Sequence, residues 1–182
     1  MASERPDKGG VELLIVRHGQ AVDEAAGLGD EGRFLTGKGR KQTRDVAKWL
    51  ARKDERCPIE VWTSPVVRAV QTAEILADRA GLRDEVMAVA ELSPGREAKE
   101  MPPRLTGYAN RGPLALVGHE PGLSALVAVL LGPAAEGVEL SLKKSGVIGL
   151  RWAPGEKAEF RFALDPKTLE TVKDLRAFAH TG

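Results

Sequence analysis

The run Leu13-Leu14-Ile15-Val16 passes directly into Arg17-His18-Gly19. An unbroken apolar run this short suits a strand buried on both faces, the condition of a parallel sheet with helices on either side. The form recurs down the chain. Ile59 to Thr63, Val86 to Ala90 and Leu114 to Val117 read as further short strands. Stretches of helical periodicity separate them, and strand alternating with helix predicts an α/β fold with a mainly parallel sheet.

The segments between carry their own punctuation. Thr36 is placed to cap a helix running to about Lys53, with Thr43, Val46, Ala47 and Leu50 at helical spacing. Ser64-Pro65 reads as the cap and first position of a second helix, which Gly81 ends. Val66, Val70, Ala73, Ala77 and Ala80 share its apolar face. A helix between Arg96 and Asn110 is broken at Pro102-Pro103, and Pro121 starts a short apolar helix that Gly132-Pro133 terminates. Gly146 to Trp152 and Ala158 to Leu164 flank Ala153-Pro154-Gly155-Glu156 and read as a β-hairpin. Asp165-Pro166 predicts a last helix to about His180. Val22 to Arg33 reads as a loop near a site. Its Gly27-Leu28-Gly29-Asp30-Glu31-Gly32 has the form GxGxxG, but it begins well after the strand and opens no apolar helix, which argues against a dinucleotide fingerprint.

Composition narrows the function classes. A chain of 182 residues is long enough for one domain with a sizeable core. Its 27 basic and 26 acidic residues nearly cancel, so bulk charge gives no reason to expect nucleic acid or an acidic membrane as partner. The single cysteine, Cys57, excludes an internal disulfide and an all-cysteine zinc site. Three histidines leave little material for a metal centre, and His119-Glu120 lacks the second histidine of HExxH. No metal or cofactor is expected. Residues 1–10 are polar, with no apolar core of a secretion signal, and are expected to form a disordered tail. The longest apolar run, Leu123 to Leu131, is far too short to cross a bilayer. The expectation is a cytoplasmic protein. Trp49, Trp62 and Trp152 read as packing residues.

What stands at the end of each expected strand is the informative feature. The first ends in Arg17-His18, the second in Ser64 with Arg68 one helical turn on, the third in Glu91 and the fourth in His119. In open α/β sheets ligands bind just outside the carboxyl ends of the strands. Singly, each residue has a plain reading: Ser64 caps a helix, Arg68 and Glu91 are solvated charges, and His119 is a satisfied structural histidine. Together they suit phosphoryl transfer, where catalysis is mostly positioning and electrostatic stabilisation of three equatorial oxygens. Arginines offer rigid, always-charged forks to those oxygens. A neutral imidazole can attack phosphorus and carry the group covalently, a second, protonated imidazole donates to the oxyanion, and a carboxylic acid can protonate the leaving group. His18 is therefore expected as nucleophile, with Arg17 and Arg68 as clamps.

Four segments, in order, resemble the histidine phosphatase (phosphoglycerate mutase-like) superfamily. Arg17-His18-Gly19 resembles its RHG signature, and Leu35-Thr36-Gly37-Lys38-Gly39-Arg40-Lys41-Gln42 resembles its LTxxGxxQ helix start. Thr63-Ser64-Pro65-Val66-Val67-Arg68-Ala69-Val70-Gln71-Thr72-Ala73 resembles its SPxxRAxQTA segment, and Val117-Gly118-His119 its second histidine motif. The resemblance implies a three-layer α/β/α sandwich over residues 11–182, one domain, with no metal requirement. It implies that His18 becomes phosphorylated and that Arg17, Arg68 and His119 complete the phosphate pocket. The small size, the RHGxA form and Glu91-Leu92-Ser93-Pro94 look most like the branch of SixA-type phosphohistidine phosphatases. In that branch Arg33 of Arg33-Phe34-Leu35-Thr36 is similar to an arginine lining the pocket. Ser64 and Gln20, the latter standing where the family often has an acidic residue, join it as candidate substrate contacts. Glu91 matches the family's proton donor by position, with Asp23 and Glu120 as alternatives. The insertions that build substrate caps in mutases and sugar phosphatases are absent, which leaves an open site. The expected substrate is phosphohistidine in a protein. The alternatives are a small phosphate ester, or a module that binds phosphorylated partners without turnover.

Overall fold

The computed structural model describes residues 10–24, 27–82 and 86–179. The tail expected over residues 1–10 falls outside this range except for Gly10, as does His180. Strands β1 (Val11–Arg17), β2 (Glu60–Thr63), β3 (Val86–Ala88), β4 (Leu114–Gly118), β5 (Val147–Trp152), β6 (Glu159–Leu164) and β7 (Thr171–Val172) form one sheet, in the order β3-β2-β4-β1-β5-β6-β7. The pairs β3-β2, β2-β4 and β4-β1 are parallel, while β1-β5, β5-β6 and β6-β7 are antiparallel. The expected hairpin is the β5-β6 pair.

Helices cover both faces, as the double burial of β1 requires. Leu14 and Val16 of β1, with Val61, Ala115 and Val117, pack against α1 (Gly37–Leu50) and α2 (Val67–Ala80). Leu13 and Ile15 point the other way, with Leu114, Leu116, Ile148 and Leu150, towards Leu123, Leu126, Val127 and Leu130 of α4 (Gly122–Leu131). A short α3 (Met101–Thr106) adds Met101 and Leu105 to this second core. Each such side chain contributes about 1.5–3 kcal/mol on burial, so β1 is held from both sides at once.

Several boundaries differ from the sequence expectation. The first helix is capped by Thr36, whose hydroxyl accepts from Gly39 N at 3.0 Å, but it ends at Leu50 and not near Lys53. The second begins at Val67: Val66 is extended, at φ −73° and ψ 136°, so Ser64 is not its cap. Its buried face holds Arg68, Ala69, Thr72, Ala73, Leu76 and Ala77, a rotation away from the stripe through Val70 and Ala80. The third strand stops at Ala88, and Glu91 follows in a single 3₁₀ turn over Ala90–Leu92. Pro102 and Pro103 lie in the first turn of α3 and do not break it, since proline is tolerated where the amide has no helical acceptor. The C-terminal helix is only α5 (Leu175–Ala179). Asp165 Oδ1 instead accepts from Lys167 N at 2.7 Å and Thr168 N at 3.1 Å, which turns the chain back into β7. Trp62 and Trp152 are buried as expected.

The parallel register sets the site. Arg17 lies opposite Gly118, and Thr63 opposite Val117. His18, His119 and Ser64 therefore leave the sheet at nearly one level. Backbone bonds from His18 N to Gly118 O (3.0 Å) and from Ser64 N to Val117 O (2.9 Å) extend the ladder by one step to reach them.

Candidate active site

His18 is buried, with 7% of its surface exposed. Its Nδ1 lies 2.7 Å from Gly19 O. A carbonyl only accepts, so Nδ1 carries the proton and the neutral ring presents a lone pair at Nε2. Arg68 Nε donates to that Nε2 at 3.3 Å. Burial pushes the His18 pKa down to about 3, and the nearby His119, Arg68 and Arg17 reinforce the shift. The neutral ring is thus the resting form at neutral pH.

The backbone under His18 is fixed from several directions. Gly19 N donates to Thr72 Oγ1 at 3.0 Å, and Thr72 Oγ1 donates to Arg68 O at 2.8 Å. Ser145 N lies 3.1 Å from Arg17 O and 3.2 Å from His18 O, and Ser145 Oγ shares a 3.0 Å hydrogen bond with Thr43 Oγ1. A methyl group on Gly39 would stand 2.1 Å from Gln20 O, so only glycine lets α1 approach this segment. Sequence reasoning missed Thr72 and Ser145 as supports. Thr72 had a signal, lying one helical turn from Arg68, whereas Ser145 had none.

The second imidazole lies beside the first, with ring centroids 5.0 Å apart and the planes tilted by 54°. His119 Nε2 shares a 2.8 Å hydrogen bond with Ser64 Oγ. The Ser64 hydroxyl, which also takes Val66 N at 3.3 Å, is thus occupied with the second histidine and the chain after it. Burial lowers the His119 pKa to about 4, with Arg68 and Arg17 adding to the shift and Asp30 opposing it. His119 Nδ1 and Arg17 Nε are buried and have no hydrogen-bond partner among the described residues. Buried polar atoms are ordinarily paired, so unpaired ones on Arg17 and His119, the residues flanking His18, suit an oxyanion: Arg17 Nε donates, and His119 Nδ1 donates in the tautomer whose Nε2 accepts from Ser64 Oγ. Arg17 is anchored through Nη1 to Leu142 O at 2.7 Å.

Arg68 is 5% exposed, and its terminal nitrogens are held by Asp30: Nη1 by the carbonyl at 2.6 Å and Nη2 by Oδ2 at 2.8 Å. Arg33 reaches the site through the same residue, donating from Nη1 to Asp30 Oδ1 at 2.9 Å and from Nε to Val22 O at 2.7 Å. The loop expected near a site lies against Arg68, and Asp30 is the neighbour of Arg68 that sequence reasoning passed over. Gln20 contributes its backbone, its carbonyl accepting from Thr36 N at 2.9 Å.

The three carboxylate candidates separate. Glu91 and His119 line one cavity of about 130 Å³, floored by Leu92, Met101, Leu123 and Leu126. Glu91 is paired with Arg104 at 3.2 Å. Glu120 also touches the cavity, but its carboxylate takes Ser124 Oγ and Leu142 N, each at 2.8 Å, which fixes it as a strut. Asp23 is exposed on the loop. Among the described residues no group of three or more His, Cys, Asp or Glu is placed to hold a metal ion, and no helix is long and apolar enough to cross a membrane.

Comparison with known proteins agrees with this geometry. The profile of the Histidine phosphatase superfamily (branch 1) matches residues 13–96. An uncharacterized protein of Picosynechococcus sp. is 38% identical over 160 residues, covering 78% of this chain and 85% of that protein. Phosphohistidine phosphatase SixA of Escherichia coli is 33% identical over 123 residues, covering 66% of this chain and 74% of SixA. A solved structure of the protein histidine phosphatase SixA complexed with tungstate overlays with a TM-score of 0.78 at 25% identity, covering 87% of this chain and 99% of that one. With the paired histidines and the buried arginine arrayed as described, and with a relative one-third identical (33%) along most of its length, this chain belongs to the histidine phosphatase superfamily and is a phosphatase.

Proposed function

We propose that the protein dephosphorylates phosphohistidine in proteins, without a metal, through a covalent phosphohistidine at His18. The observation that carries this reading is the state of His18: Nδ1 is committed to Gly19 O, which leaves Nε2 as a lone pair faced by the Arg68 guanidinium. The phosphoryl oxygens lie against Arg17, Arg68 and His119 while His18 Nε2 attacks phosphorus in line. The P–N bond to the substrate imidazole breaks, and that imidazole takes a proton from Glu91 or from solvent. Water then attacks the phosphoryl group on His18, giving inorganic phosphate and restoring the ring. An imidazole needs less help in leaving than an alkoxide, which suits a site in which Glu91 is engaged by Arg104. Arg33 acts on the phosphoryl group through Asp30, and Ser64 through His119.

The test is transfer of label. A phosphohistidine protein carrying radioactive phosphate leaves an acid-labile, base-stable label on the wild-type chain and none on His18→Ala. Equal labelling of both overturns the reading. The cavity beside His119 and Glu91 supports a second substrate class, small phosphate esters, because about 130 Å³ is room for a compact leaving group. Turnover compared between a phosphohistidine protein and a panel of sugar phosphates, nucleotides and phosphoglycerate decides between them. Retained phosphate affinity with no turnover on any of them identifies a binding module instead.

A further inference from the structure

We propose that Asp30 is a positioning residue for the phosphate clamp, holding the Arg68 guanidinium with one edge turned to the phosphoryl group on His18. This role rests on the reading of His18 as the phosphoryl acceptor.

A guanidinium has five N–H bonds in one plane, and they form distinct edges. Nη1 and Nη2 define the end, whereas Nε and the nearer hydrogen of Nη2 define the side. The contacts of Arg68 divide along that line. Asp30 takes the end, its carbonyl on Nη1 at 2.6 Å and its Oδ2 on Nη2 at 2.8 Å. The side edge faces His18, with Nε 3.3 Å from the nucleophilic nitrogen. A phosphoryl group arriving at that nitrogen sets two oxygens against the side edge, the bidentate arrangement a guanidinium favours. Asp30 can keep its hold while this happens, because it uses the other edge.

The charge balance points the same way. Arg68 is 5% exposed, and a buried cation left unpaired is strongly unfavourable. Asp30 supplies the partner from a side chain that is itself half exposed, so the loop brings the charge in from solvent. Arg33 fastens Asp30 from behind at 2.9 Å and is itself tied to Val22 O at 2.7 Å. Hydrogen bonds from Arg68 first and Arg33 second hold the Asp30 carboxyl below its ordinary range, as binding of the carboxylate by two guanidinium groups requires. The chain Arg33–Asp30–Arg68 thereby sets the plane of the guanidinium that hydrogen-bonds His18.

The test uses tungstate as the oxyanion probe. Calorimetry on the full chain compares wild type, Asp30→Asn, Arg68→Ala and the double variant, with hydrolysis of a phosphohistidine protein followed in parallel and thermal unfolding as a check on the fold. A positioning role predicts that Asp30→Asn weakens tungstate at least about tenfold, roughly 1.4 kcal/mol, and lowers kcat as well as raising KM per folded molecule, while the unfolding midpoint falls because Arg68 loses its charged partner. It also predicts that Asp30→Asn costs less than about twofold more once Arg68 is already Ala, because coupled residues do not add. Unchanged or tighter tungstate binding in Asp30→Asn overturns the proposal, and tighter binding would make the carboxylate a competitor of the oxyanion. A full additional loss in the Arg68→Ala background overturns it too, as does an effect confined to KM. Failure of the underlying reading has its own signature, a wild-type protein that takes up no tungstate at all.

Discussion

The two halves of the sheet are built on opposite plans. Strands β3, β2, β4 and β1 run parallel, so their carboxyl ends lie along one edge, and His18, Ser64 and His119 stand just beyond it. Strands β5, β6 and β7 alternate in direction. Their ends fall on both edges, and they carry aromatic packing such as Trp49 on Phe162 and exposed ion pairs such as Arg161–Glu159. Parallel strands concentrate chemistry because every strand delivers its next residue to the same place; antiparallel strands do not. The second half still serves the first, since the turn leading into β5 supplies Ser145 and Leu142 O to the backbone and guanidinium of Arg17. Substitutions on the parallel edge should therefore remove activity from a folded molecule, and substitutions on the antiparallel half should remove stability from an active one.

The largest effect is expected at His18. On the proposed mechanism His18→Ala deletes the attacking atom and should lower kcat by about 10⁴-fold or more, the scale seen when a covalent nucleophile is removed. Retention of more than a hundredth of the wild-type rate would mean that another group accepts the phosphoryl. Next is Arg68→Ala, which removes a preorganised donor and should cost about 10²–10³ in kcat/KM. Steady-state kinetics beside an unfolding curve tests both, because the parallel edge should yield inactive but folded protein.

How far this could be read from the sequence follows the same division. Arg17, His18, Arg68 and His119 were legible because each follows a short apolar run or lies one helical turn beyond it, and a parallel sheet brings such positions together whatever lies between. Ser64 was visible as a residue but not in its role. The rule of a serine cap followed by proline loses here to a 2.8 Å bond with His119, and the helix starts later. Asp30 was hidden because its partner lies 38 positions on, and nothing local marks which loop carboxylate will meet a buried arginine. The C-terminal helix was overread, since the side chain of Asp165 bonds two amides ahead of it and folds the chain into β7.

On the antiparallel side the sharpest test is Gly149→Ala. A methyl group there would stand 2.3 Å from the Phe162 ring, which packs on Trp49. Overpacking of this kind costs about 1–3 kcal/mol. Chemical denaturation should show that loss while kcat per folded molecule stays at the wild-type level. A fall in kcat would join the two halves mechanically.

The pH dependence of stability is smaller per unit pH, and its change on substituting His18 tests the parallel edge. His18 and His119 are pushed down to about 3 and about 4, burial being the first cause for both. In the unfolded chain they take up protons near 6.5. Between about pH 6.5 and these lowered values the unfolded state holds more protons, so stability is full above 6.5 and falls as the pH drops through that window. One group fully out of balance contributes about 1.4 kcal/mol per pH unit. His18→Asn removes one such group and should give a shallower acid slope in denaturation curves from pH 6.5 to 4. An unchanged slope would mean that His18 is not held neutral by burial.

The smallest effect is expected at Arg161→Ala, and the near-absence of a change is informative there. Arg161 and Glu159 lie 3.1 Å apart on β6, with side chains 48% and 66% exposed. Pairs this wet are worth about 0–1 kcal/mol, because water screens the attraction and two long side chains lose freedom to make it. Stability should move by less than about 0.5 kcal/mol and kinetics not at all. A measurable change in kcat/KM from this position would show that charge on the antiparallel half is felt at the oxyanion, most directly through substrate approach. That change should then shrink as salt is raised, because fields from exposed charges are screened within about 10 Å at ordinary ionic strength.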